Sequence, residues 1–171
     1  MVPESYAGYF AAGASAAAAL IGLLFVAISL RSDSVFGDDA PAGGRALAGS
    51  AFTSLVNAFF LSFLALIPRI SLGYPAVVLS LLGLFQTIRL HRRLSRTEAH
   101  PVLLAMSLAT FGGEVVVGVL LAVNPHRRAE LEALTYLVVA SISVPLTRAW
   151  ALIQGRHIRS DARRRPRLTG I

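Results

Sequence analysis

Glu114 is the residue of this chain best placed to do chemistry in apolar surroundings. It stands near the middle of Val102 to Val123, a run otherwise free of charge and long enough to span a bilayer. An ionisable group at that depth costs at least about 2.5 kcal/mol, so it calls for a partner, a wet cavity or a task. A lone carboxyl there can exchange a proton or hold a small cation. Ser107, Thr110 and Gly118 fall on its face of the helix. Gly112 and Gly113 precede it and permit a close backbone approach or a bend.

Other polar groups repeat at helical spacing. Ser50, Thr53, Ser54 and Asn57 form a stripe in an earlier apolar run. Asn57 lies near mid-depth, where its amide needs a partner on another helix or water. The stripe reads either as interhelical glue, worth ~0.6 kcal/mol per bond, or as a hydrophilic lining. Ser141, Pro145 and Arg148 align in the last apolar run. Pro145 has no N–H to give the Ser141 carbonyl, which leaves that acceptor for another group.

Arg148 is a possible counterion for Glu114. Glu114 lies about 18 Å from one end of its helix, and Arg148 about 8 Å from the same end of its own. Side chains lean toward the helix N-terminus, so in antiparallel helices the two lean together across roughly 10 Å. Alternatively Arg148 snorkels to the headgroups and ignores the acid. A pair would be a structural clasp, whereas an uncompensated carboxyl suits a proton relay or cation site. Both readings stay open. The candidate permeation set is Glu114, Asn57, Arg148, Ser107, Thr110 and Ser54.

Composition narrows the class. Of the 171 residues 55% are hydrophobic, well beyond an ordinary soluble domain. There is no Cys, which removes disulfides and thiolate chemistry. His91, His100, His126 and His157 all fall in loops or at helix exits, so no intramembrane haem ligand pair or HExxH zinc site is expected. Serines in the spans have no histidine to act as base. Neither an enzyme nor a bound cofactor is expected. The net charge of +7 is carried by arginine alone, with no Lys. Such usage, with abundant Ala, Gly and Leu, fits codon bias in a GC-rich bacterial genome and so an inner-membrane location.

Five runs meet the length of a spanning helix: Ala7 to Leu30, Ala46 to Ile67, Leu72 to Ile88, Val102 to Val123 and Leu134 to Ile153. The N-terminal MVPESYAGYF has no basic n-region, so the first run is expected to stay as a span rather than be cleaved. Pro68 to Ser71 and the NPHRRAE stretch from Asn124 make tight hairpins. Arg31 to Arg45, Arg89 to His100 and the residues from Arg156 onward share one side and hold 12 Arg, against Arg69, Arg127 and Arg128 on the other. The positive-inside rule then sets the N-terminus outside and the C-terminus in the cytoplasm.

The first span is nearly all Ala, Gly and Ser in its outer half. Its Ala11, Ser15, Ala18 and Gly22 share a face expected to pack against neighbours or a subunit partner. Spans two and three echo spans four and five: each hairpin has a Pro at its outer turn and a basic exit, FQTIRLHRR and WALIQGRHIR. A parallel repeat and positive-inside selection both account for that. The tail RHIRSDARRRPRLTGI forms a segment of its own, 156–171, after a membrane domain at 1–155. Arg156, Arg159, Arg163, Arg164, Arg165 and Arg167 would rest on anionic lipid, at about 1 kcal/mol each, or dock an acidic partner. The tail has no aromatics for base stacking, so nucleic acid is not an expected partner. Asp33, Asp38 and Asp39 lack a calcium-loop pattern.

The run GLLFVAISLR, with a second span ending at Pro and the later TRAWALIQGR, resembles small uncharacterised bacterial multi-span membrane proteins. That resemblance implies a fold class and no catalytic activity. The expectation is an all-α bundle of five transmembrane helices, homo-oligomeric because its polar stripes are hard to satisfy within one copy. It would form a channel or permeation path for protons or small cations. The alternative is a non-transporting accessory or scaffold subunit that binds a larger membrane protein through the small-residue helix.

Overall fold

The computed structural model describes residues 3–30, 42–92, 101–124 and 128–164, with side chains at 42–44, 47, 91, 101–103 and 147–164 outside the description. Its described elements are all helical. A short 3-10 turn at Glu4–Tyr6 leads into α1 (Ala7–Ser29), followed by α2 (Ala42–Ala65), α3 (Gly73–His91), α4 (Pro101–Val123) and α5 (Arg128–Arg164). Five helices are long and apolar enough to cross a membrane, with spans at Glu4–Ser29, Ala48–Ala65, Gly73–Leu90, Leu104–Val123 and Arg128–Leu146. This is a multi-pass membrane protein. Phe63, Phe85, Val116 and Tyr136 are exposed on its flanks, where hydrocarbon rather than water is their natural solvent.

Helices α2, α3, α4 and α5 close a ring in which each packs on the next and α5 returns to α2. α1 lies outside the ring, mainly on α2. The sequence told the first span's place less well than its existence. Ala11, Ser15, Ala18 and Gly22 all face away from the bundle, and Ser15 returns its hydroxyl to the Ala11 carbonyl, 2.9 Å. The packed face instead carries Phe10, Gly13, Ala14 and Ala17. A helix that is small on every side has no periodicity to mark its inner face. Phe10, a large side chain with small residues one turn on, decides it.

Glycine sets the α3–α4 contact. A methyl at Gly118 would meet Ala76 and Val77 at 3.0 Å, and one at Gly83 the Phe111 ring at 2.6 Å. Removing those side chains lets the two backbones close up. The contacts also fix an antiparallel register, which sets Ser80 at the depth of Glu114 and Thr87 at the depth of Ser107.

The α2–α3 turn departs from helix through Arg69, at φ 66°. With Pro68 before it and Ile70 N–H on the Ile67 carbonyl at 3.4 Å, this is the pattern of a type II turn. At the other end α5 continues through Pro145 to Arg164, nearly two bilayer-core lengths in all. The helix thus begins before the expected Leu134 and runs beyond Ile153. No proline follows Pro145 until Pro166, which explains the extension.

Candidate functional site

Each ring helix contributes one polar side chain at mid-depth. α4 supplies Glu114, which is wholly buried, as is Ser80 of α3; Ser141 of α5 and Asn57 of α2 are nearly so. Asn57 Nδ2 donates to Glu114 Oε2 at 2.6 Å, and the Ser80 hydroxyl donates to the same oxygen at 2.8 Å. The Ser141 hydroxyl donates to Oε1 at 2.7 Å. Three helices thereby meet on the carboxylate of the fourth. Such bonds to an ionised acceptor are the stronger kind, but all three donors are neutral and do not themselves cancel the charge.

The expected set divides on inspection. Glu114 and Asn57 are brought together. Ser54 and Ser107 are buried, both toward the end of the ring that carries Arg45 and Arg89. Thr110 is turned aside: its hydroxyl donates to the Met106 carbonyl, 2.9 Å, within its own helix. Thr53 does the same with Gly49, 3.0 Å. A hydroxyl that satisfies itself this way can face lipid at little cost. The Arg148 side chain lies outside the described residues, so its pairing with Glu114 does too. Of the tail, Arg156, Arg159, Arg163 and Arg164 fall on the helical backbone of α5, while Arg165 and Arg167 lie outside the described residues.

Ser80 was not singled out from sequence. Its signal is depth: it is the lone polar residue between Tyr74 and Gln86, midway along its span like Asn57 and Glu114. The sequence points to Ser141 for the carbonyl that Pro145 leaves free, yet it acts through its hydroxyl. Asn57 Nδ2 and Glu114 find these partners within one chain.

The ring interior differs above and below this layer. Toward the arginine-rich end it contains Ser54, Thr87 and Ser107, with Leu55, Phe111 and Val144 around them. Toward the opposite end, Leu61, Ala65, Leu72, Ala76, Leu121 and Leu134 form a continuous apolar cluster. Ser62 also lies in that half but faces α1, where its Oγ would stand 2.9 Å from a methyl at Gly13. α1 is tied on there by Tyr9, whose hydroxyl donates to the Thr135 carbonyl at 2.6 Å.

Comparisons with family models, with curated proteins and with solved structures returned no match for this chain. The chemistry of the polar layer is therefore the basis for any functional reading. It can hold a proton or a small cation against a carboxylate sealed from lipid.

Proposed function

We propose that this protein is a permeation protein for protons or small cations in a bacterial inner membrane, with Glu114 as its ion-binding station. The carrying observation is the wholly buried carboxylate with a neutral donor from each of three surrounding helices. Neutral donors stabilise the anion without cancelling its charge, so a proton or cation is the natural countercharge. Asn57 helps to hold it, while Ser54 and Ser107 lie on the approach. The 12-to-3 division of loop arginines supports a cytoplasmic arginine-rich end, with the N-terminus outside. The tail arginines would then rest on anionic lipid.

Purified protein in liposomes should pass protons or alkali cations under an imposed potential, and Glu114→Gln should reduce that flux at least tenfold. Absence of wild-type flux would defeat the proposal. Flux untouched by the substitution would remove Glu114 from the path.

The second reading is an accessory subunit, for which the position of α1 is the favouring observation. It stands outside the ring with Leu23, Phe25 and Val26 exposed beside its small-residue face. On that reading Glu114 is a clasp, and co-purification of a larger membrane protein should depend on α1.

A further inference from the structure

We infer that the ion bound at Glu114 is a proton, that Asn57 turns its amide to accept the carboxyl hydrogen through Oδ1, and that the proton arrives from the arginine-rich end. This rests on the permeation reading and names its ion.

The first argument is space and orientation. The two carboxylate oxygens offer about four lone-pair sites, and three are filled by direct contacts of 2.6–2.8 Å. The donor hydrogens point at the carboxylate. A metal cation would have only the one remaining lone-pair site on the carboxylate and would need further oxygen ligands spread around it. A proton needs no such ligands.

The second argument is an acceptor with nothing to accept. Among the described residues Asn57 Oδ1 is buried without a hydrogen-bond partner, while Nδ2 of the same amide touches Glu114. A half-turn of the amide exchanges the two atoms. The 2.6 Å separation is short for N–H···O and ordinary for O–H···O. In the anionic state Nδ2 donates to the carboxylate; in the acid state the carboxyl O–H donates to Oδ1. One proton is taken from water on binding and returned to water on release; no other covalent bond changes, and the Nδ2–H···Oε2 hydrogen bond is exchanged for the carboxyl O–H···Oδ1 bond. Ser80 and Ser141 keep donating throughout.

The third argument is access. On the arginine-rich side of the layer the ring contains the polar residues Ser54, Thr87 and Ser107; the other side also buries Ser62, Thr135 and Glu130, but there the apolar cluster of Leu61, Ala76, Leu121, Leu134 and Val138 lies next to the layer. Phe111, against Gly83, stands between Glu114 and the Thr87–Ser107 level, so passage requires its ring to move. Charged groups on the packing helices are remote in sequence. Arg45 of α2 and Arg89 of α3 lie about 18 and 14 Å along their helices from Asn57 and Ser80, and Glu130 of α5 about 16 Å from Ser141. Arg148, two turns beyond Ser141, is the nearest base on α5. On α4 itself Glu114 is alone.

The test treats the full chain in phosphatidylcholine vesicles with dicyclohexylcarbodiimide, which modifies protonated carboxyls in apolar surroundings, and locates the adduct by mass spectrometry. We expect an adduct at Glu114 that forms faster at lower pH, and at the same rate in 100 mM choline, Na⁺ or Li⁺. Protection of threefold or more by Na⁺ or Li⁺ would overturn the proton in favour of an alkali cation. Infrared difference spectra between acid and alkaline pH provide a readout independent of reagent access. They should show a carboxyl band lost in Glu114→Gln, accompanied by an Asn57 amide band lost in Asn57→Leu. A carboxyl band without the amide change would overturn the role of Asn57. No carboxyl band at any pH would mean a permanently ionised clasp and overturn the proposal.

Access is tested with single cysteines, since the chain has none of its own. With a charged thiol reagent on both sides of the membrane, Thr87→Cys should react and Leu121→Cys should not; the reverse would overturn the direction of access. Labelling needs no transport. A labelled Glu114 without flux would defeat permeation and leave the proton site standing, while flux with Na⁺ protection would do the opposite.

Discussion

Gly73 at the start of α3 lies against the backbone nitrogen of Ala122 on α4, so close that a side chain of any size has no room. In an exposed helix Gly→Ala stabilises by about 1 kcal/mol. Here the added methyl meets main chain, which cannot rotate away, and overpacking of this kind costs about 1–3 kcal/mol. Gly73→Ala should therefore lower the unfolding midpoint in a detergent titration. The same change at Gly112, where a methyl would meet nothing, should leave it level or raise it.

The polar layer predicts a coupling. Ser80→Ala and Ser141→Ala each remove one neutral donor from Glu114, at a cost of about 0.6 kcal/mol and at most about 1.7. In a Glu114→Ala background neither hydroxyl has an acceptor to lose, so the same substitutions should cost almost nothing. Double-mutant cycles on the unfolding free energy measure this directly. Equal costs in both backgrounds would show that the hydroxyls stabilise the bundle by some other contact.

Much of this architecture is legible in the sequence. The five spans are set by apolar length and the α2–α3 hairpin by Pro68; the expected turn at Pro125 lies outside the described residues. Glu114 and Asn57 stood out because polar groups in hydrocarbon demand partners. Their mutual contact was not legible, because register between helices depends on glycine contacts such as Gly118 on Val77 that no span announces. Ser80 escaped for that reason. The sidedness of α1 escaped for another: a helix of Ala and Gly has no large-and-small pattern to read.

The turn at Arg69 holds a non-glycine residue at φ 66°, a conformation that costs an L side chain roughly 1–2 kcal/mol. Glycine takes it freely. Arg69→Gly should raise the thermal midpoint, by about 1 kcal/mol in unfolding free energy after its extra unfolded-state entropy is counted. Arg69→Val should lower it, because branching at Cβ makes a positive φ worse.

Phe111 separates stability from access. Its ring is almost fully buried against Gly83, and Phe→Ala in a packed interior costs about 3–5 kcal/mol. A clasp role for Glu114 would lead one to expect a looser, inactive bundle and nothing more. If the ring blocks the approach from Thr87 and Ser107, Phe111→Ala should also quicken carbodiimide labelling of Glu114 at fixed pH, while Gly83→Ala, which presses a methyl into the ring, should slow it. To separate gating from general loosening, the comparison is Leu121→Ala on the sealed side. That variant opens a similar apolar cavity and should destabilise the protein without speeding the label. Equal acceleration in both variants would show that the layer is reached by breathing of the whole ring rather than past Phe111.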